Sequence, residues 1–128
     1  MVQTNQWIGN KITFLVSDPW DFCTQYGEGP FLGIIEDANV EALLVKVATV
    51  FVYEGLTFDS LVVKPRHLDS PLLDLGRSGV LLVNMIPVSS STRLQDQVGK
   101  QYGYLPGSPF HMAASWRGWS LVGQLSMP

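Results

Sequence analysis

Short apolar segments rich in β-branched and aromatic residues recur along this chain, and turn residues separate them. This alternation, with glycine, proline or asparagine between the segments, is typical of β-strands joined by tight turns. The segment 41–53 is a long apolar run, which we interpret as one bent strand or two strands with a kink near Ala48 and Thr49. The predicted strands are residues 11–16, 31–36, 41–53, 58–64, 79–88 and 120–125.

The chain is mainly β and long enough for a single domain, residues 1–128. We predict a β-rich core at about 7–88 and a helix with an aromatic tail at 89–128. Short, closely spaced strands favour a β-barrel or β-sandwich, and α+β is the alternative. Gly33 inside a strand, a turn and the run LLVKV together resemble the small SH3-like or Sm-like barrels, a resemblance of fold that implies no function.

Helical signals are few. Residues 70–76 combine a serine N-cap, a proline and Gly76 as the residue after the last turn, so we predict a helical turn there. A second helix is predicted within 89–103. The segment 17–30 is interpreted as a long loop carrying aromatic residues.

Several chemistries lack the residues they need. Cys23 is the one cysteine, which excludes a disulfide scaffold, and we expect a buried structural thiol in a cytoplasmic protein. A thiol nucleophile with Asp21 and His67 is the weaker alternative, and His111 is less specific still. No phosphate-binding, dinucleotide or hydrolase motif is present, so no cofactor and no metal is expected. No apolar run is long enough for a membrane-spanning helix, and no membrane role is expected.

The formal charge of −3 conceals an asymmetry. Residues 12–59 contain eight acidic residues and one base, Lys46, whereas residues 60–128 contain three acidic and six basic residues. An acidic surface suits a basic protein partner, while nucleic-acid binding normally requires a basic patch. Acids that merely keep an apolar protein in solution are the alternative explanation.

Two clusters stand out in a chain with so few charges. Asp18, Trp20 and Asp21 lie together in the sequence SDPWDF, as cation ligands, acid–base groups or simple turn residues. Lys64, Arg66 and His67 lie in KPRH after a strand, as an anion site or a solvated strand end. If the two clusters meet in one pocket, they form a small-ligand site or an active site.

Two tryptophans near the C-terminus, Trp116 and Trp119, are binding or core-packing candidates. High apolar content and low charge also suggest self-association as a homodimer. We therefore expect a non-enzymatic binding or adaptor module with an acidic face for a basic protein partner. The alternatives are a small-ligand-binding protein or enzyme using Asp18 and Asp21 with Arg66 and His67, and a nucleic-acid-binding barrel, which the charge disfavours.

Overall fold

A computed structural model describes residues 4–18, 20–39, 42–53, 55–66, 72, 74–88 and 121–127. Six strands and two short α-helices follow a 3-10 turn at Thr4–Trp7. The elements are β1 (Lys11–Asp18), α1 (Trp20–Tyr26), β2 (Phe31–Ala38), β3 (Leu43–Tyr53), β4 (Leu56–Pro65), α2 (Asp74–Ser78), β5 (Val80–Val88) and β6 (Leu121–Ser126).

The six strands form one closed antiparallel barrel in the order β1-β2-β3-β4-β5-β6. The predicted mainly-β class is confirmed, and the sheet is a barrel rather than a sandwich. Because each strand runs antiparallel to its neighbours, β1, β3 and β5 end together on one side, where α1 follows β1. We call this the α1 end. The opposite side, where β2, β4 and β6 end and α2 precedes β5, is the α2 end.

The bend predicted in segment 41–53 is confirmed. The pairing of β3 with β4 steps from Lys46 opposite Ser60 to Phe51 opposite Phe58. That step spans five positions on β3 and only two on β4, so β3 carries three extra residues. Such an insertion kinks a strand away from its partner.

Side chains from all six strands fill the barrel, and each end has its own cover. Phe22 of α1 packs on Phe51 and Tyr53 at the α1 end, with ring centroids 5.2 and 5.5 Å apart. At the α2 end, Trp7 and Leu75 are buried in the same core. The short helices are therefore stabilised by tertiary packing, since helices of five and seven residues are marginal alone.

Strand β6 closes the barrel by pairing with both β1 and β5. Gly123 allows β6 to approach β1 closely, because a Cβ at this residue would overlap the Leu15 carbonyl oxygen. The β core therefore extends beyond residue 88 and includes Leu121–Ser126.

Two local predictions were wrong. The segment 17–30 is not all loop, because α1 occupies Trp20–Tyr26. The helical turn predicted at 70–76 overlaps α2, but Gly76 lies inside this helix and not after it. The predicted serine N-cap and the proline after it, Ser70 and Pro71, lie outside the described residues. Gly79 is the terminating residue, with φ +75° and its N–H donating to the Leu75 carbonyl at 2.8 Å. The helix predicted within 89–103 lies outside the described residues.

Candidate functional site

The first predicted cluster lies at the α1 end of the barrel. Asp18 is the last residue of β1, and Trp20 and Asp21 begin α1. All three side chains are exposed, and the Trp20 side chain is 73% exposed. Asp21 lies in the first turn of α1, where the negative charge of a carboxylate interacts favourably with the helix dipole. The cluster is therefore part of the exposed surface at the α1 end of the barrel.

Glu28 belongs to the same surface, although sequence reasoning did not select it. The Val16 N–H donates to the Glu28 carbonyl at 2.9 Å, and the Val16 carbonyl accepts a hydrogen bond from the Cys23 thiol at 3.3 Å. The first bond holds the chain after α1 against β1, and the second holds α1 itself against the same strand. Asp18, Trp20, Asp21 and Glu28 are hereafter the acidic α1 surface.

The negative charge of this surface affects the Cys23 thiol. Its pKa is raised above the ordinary value, first by burial and then by the negative charges of Glu28 and Asp18. A reactive cysteine needs the opposite environment, one that favours the thiolate. The thiol is buried, as expected, and its surroundings do not activate it as a nucleophile.

Within the described part of the chain, the acidic α1 surface carries no basic side chain. Lys11 begins β1, Arg66 follows β4 and Arg77 lies in α2, which places these three at the α2 end. Lys46 is paired with Asp59 in the barrel wall.

The second predicted cluster does not meet the first. Lys64 and Arg66 lie where β4 ends, at the α2 end, whereas Asp18 and Asp21 lie at the α1 end. In either direction around the barrel, β4 is three strands away from β1, and three is an odd number. The two strands therefore run antiparallel to each other and finish at opposite ends of the barrel. The shared pocket of Asp18, Asp21 and Arg66 is therefore not formed.

Lys64 also differs from a solvated strand end. It alternates with the core residues Leu61 and Val63, so its side chain lies on the outside of β4, yet it is only 6% exposed. It lies opposite Asn84, which is also buried. The Arg66 N–H donates to the Leu82 carbonyl at 3.0 Å, which fixes the start of the connection after β4. His67, Trp116, Trp119 and His111 lie outside the described residues, so their roles stay predictions.

A groove in the barrel wall was not expected from the sequence. It has a volume of about 500 Å³ and lies where β2 and β3 separate. Its described lining is mostly apolar, with charged groups at three positions: Lys11, Lys46 and Asp59. The signal available in the sequence was Lys46, the only base among residues 12–59 and the main polar interruption of an apolar run.

The fold and these surfaces define a small closed antiparallel barrel with an acidic end and an apolar groove in its wall. No protein-family model, curated protein or solved structure matches the chain. Among the described residues, no group of three or more histidine, cysteine, aspartate or glutamate side chains is placed to hold a metal ion. The described helices are too short and too polar to cross a bilayer.

Proposed function

We propose that this protein is a non-enzymatic binding module that holds a basic protein partner on the acidic α1 surface. The observation that carries the proposal is Trp20, a large apolar side chain 73% exposed that lies between Asp18 and Asp21 in the sequence. Large exposed aromatic side chains are the residues that interfaces most often use as anchors.

The two kinds of side chain have complementary roles in such an interface. An arginine or lysine of the partner can stack on the Trp20 indole while a neighbouring carboxylate accepts its hydrogen bonds. Carboxylates at the rim speed association with a basic partner and disfavour acidic ones. Arginine is the better fit, because its guanidinium is planar and stacks on aromatic rings.

The test is retention of partners from an extract of the source cells by the immobilised chain at low salt, identified by mass spectrometry. Proteins retained by the wild type should be lost with Trp20→Ala and with the double variant Asp18→Asn/Asp21→Asn. Each retained protein is then purified and titrated. We expect a basic protein whose Kd rises about thirtyfold in Trp20→Ala, the loss typical of an interface anchor, and rises further with added salt.

The matched control is Glu36→Gln/Asp37→Asn, which removes two exposed carboxylates near the end of β2, at the α2 end. This variant has the same net charge as Asp18→Asn/Asp21→Asn and should keep the partner. The proposal fails if no purified protein binds, or if the control weakens binding as much as the α1-end variants do.

Two other expectations have clear readouts in the same samples. Self-association as a homodimer predicts a molar mass by light scattering that falls on dilution, and Trp20→Ala shows whether the acidic α1 surface forms the contact. A nucleic-acid-binding barrel predicts rising fluorescence anisotropy of labelled single-stranded DNA or RNA at low salt, and we expect a flat titration.

A further inference from the structure

The groove between β2 and β3 arises from the three extra residues of β3. Pairing of β2 with β3 stops at Gly33 opposite Val47, and pairing of β3 with β4 resumes at Phe51. In the described part of the chain, residues 48–50 therefore have no strand partner on either side. The strands part here, and the space between them is the groove of about 500 Å³.

The walls of the groove are apolar side chains that point away from the barrel core. Leu32 and Val50 are 61% and 59% exposed, and Ile34 is exposed beside them. Gly33 lets the strands approach at the floor, because a Cβ there would lie 2.8 Å from Val45 Cγ1 and 3.0 Å from the Lys46 carbonyl oxygen. An apolar concavity of a few hundred cubic ångströms with few polar groups is typical of small-molecule sites.

The charges of the groove leave one positive side chain uncompensated. Lys46 forms an ion pair with Asp59, and this hydrogen bond lowers the pKa of the Asp59 carboxyl group. Lys11 lies opposite Ile34 in register, and Ile34 lies opposite Lys46, so the three residues form one row across the outer face. Lys11 is exposed and makes no ion pair with any described residue.

We infer that the groove binds a small amphipathic carboxylate, with its apolar part along Leu32, Ile34 and Val50 and its carboxylate at Lys11. The apolar walls select an alkyl or aryl body. The uncompensated charge of Lys11 favours an anion over a neutral or cationic ligand of the same shape. This ligand is independent of the basic partner proposed for the acidic α1 surface, which lies at the end of the barrel and not in its wall.

The probes are decanoate, decan-1-ol and decylammonium, each below the concentration at which it forms micelles. Methyl NMR spectra of the full chain should show decanoate-dependent shifts at Leu32, Ile34 and Val50. Val80 and Leu82 are exposed apolar residues of β5, and their methyl signals should not move. Calorimetry should give the tightest Kd for decanoate, with decan-1-ol about threefold to tenfold weaker and decylammonium the weakest.

Matched variants separate the two parts of the ligand. Lys11→Met should weaken decanoate about threefold to tenfold while leaving decan-1-ol unchanged, and Arg77→Met, which removes the same charge in α2, should have no effect. Leu32→Ser should weaken both ligands, whereas Leu82→Ser should weaken neither.

Two results would overturn the inference: shifts spread over Val80 and Leu82, or equal affinity for decanoate and decylammonium. Absence of saturable binding by any probe would also overturn it, and would leave the proposal for the acidic α1 surface intact.

Discussion

Single residues in this barrel acquire their properties from partners far away in the chain. Lys46 and Asp59 lie in two different predicted strands, and nothing in the local sequence indicates that they meet. The pairing of β3 with β4 places Lys46 opposite Ser60, beside Asp59, and the two charges form an ion pair. Ser60 adds a hydrogen bond from its hydroxyl to the other Asp59 carboxylate oxygen at 3.4 Å.

The ion pair of Lys46 with Asp59 predicts how the stability of the fold changes at low pH. The pKa of Asp59 is lowered from its ordinary value of 3.8, mainly by the hydrogen bond from Lys46. A carboxyl group whose pKa is lower in the folded state stabilises the fold above its unfolded pKa, and that stabilisation is lost as the pH falls through the folded pKa. Lys46→Met should therefore raise the pKa of Asp59 and reduce the part of the stability that is lost below pH 3.8.

Carboxyl-carbon NMR titration of Asp59 measures this pKa directly. Lys11→Met is the matched control, because it removes a lysine of the same groove that does not contact Asp59 within the described residues, and it should leave the titration almost unchanged. An unaltered Asp59 titration in Lys46→Met would show that the ion pair does not form in solution.

At the scale of elements, α1 takes the place of a neighbouring strand. Beyond Val47, where the pairing of β2 with β3 stops, the Val52 N–H donates to the Tyr26 hydroxyl oxygen at 2.8 Å. The Val52 carbonyl accepts from the Tyr26 hydroxyl at 3.2 Å and from the Gln25 amide nitrogen at 3.0 Å. The helix thereby pairs a strand edge that the insertion in β3 leaves without β2.

Tyr26→Phe should expose that edge. The variant keeps the ring packed on Phe51 but removes the hydroxyl, so we expect a loss of about 1 kcal/mol in the free energy of unfolding. Hydrogen exchange should accelerate at the Val52 amide and stay slow at Val45, which lies in the pairing of β3 with both β2 and β4.

Thr24→Val is the control on the same helix. It removes a hydrogen bond from the Thr24 hydroxyl to the Trp20 carbonyl within α1 and should leave Val52 exchange unchanged. Equal protection of Val52 in Tyr26→Phe and in the wild type would mean that the Tyr26 hydroxyl does not hold the strand edge.

At the scale of the whole molecule, closure of the barrel depends on β6. This strand arrives from the far end of the chain and contributes the fully buried residues Leu121 and Leu125. Its fit against β1 has no room for a side chain at residue 123, since the nearest obstacle is backbone, the Leu15 carbonyl, and cannot rotate away.

Gly123→Ala should therefore be among the most damaging single substitutions in the chain. The strands must move apart, and we expect a loss of about 3 kcal/mol or more in the free energy of unfolding. Gly27→Ala is the control: its φ of +83° carries a backbone cost of about 1 kcal/mol, but no atom lies within 4 Å of the added Cβ. Denaturant unfolding of both variants measures the difference, and equal losses would contradict the close approach of β6 to β1.

Local sequence pattern was sufficient to predict most strands, because alternation of apolar and polar residues and enrichment in β-branched residues are visible within a few neighbouring positions. It also located the bend of β3 near Ala48. It did not reveal α1, since its seven residues include Trp, Phe, Cys, Thr and Tyr, which are weak helix formers. That helix depends on burial of Phe22 and Cys23, a contact with residues from distant strands.

Local sequence pattern was enough to predict the mainly-β class, most strand positions and the presence of two charged clusters. The positions of those clusters depend on the barrel, because two strands separated by an odd number of steps in an antiparallel barrel finish at opposite ends of it. The register between β3 and β4 brings Lys46 to Asp59, and the three extra residues of β3 open the groove beside Lys11. Those properties depend on register between strands, which local sequence pattern does not contain.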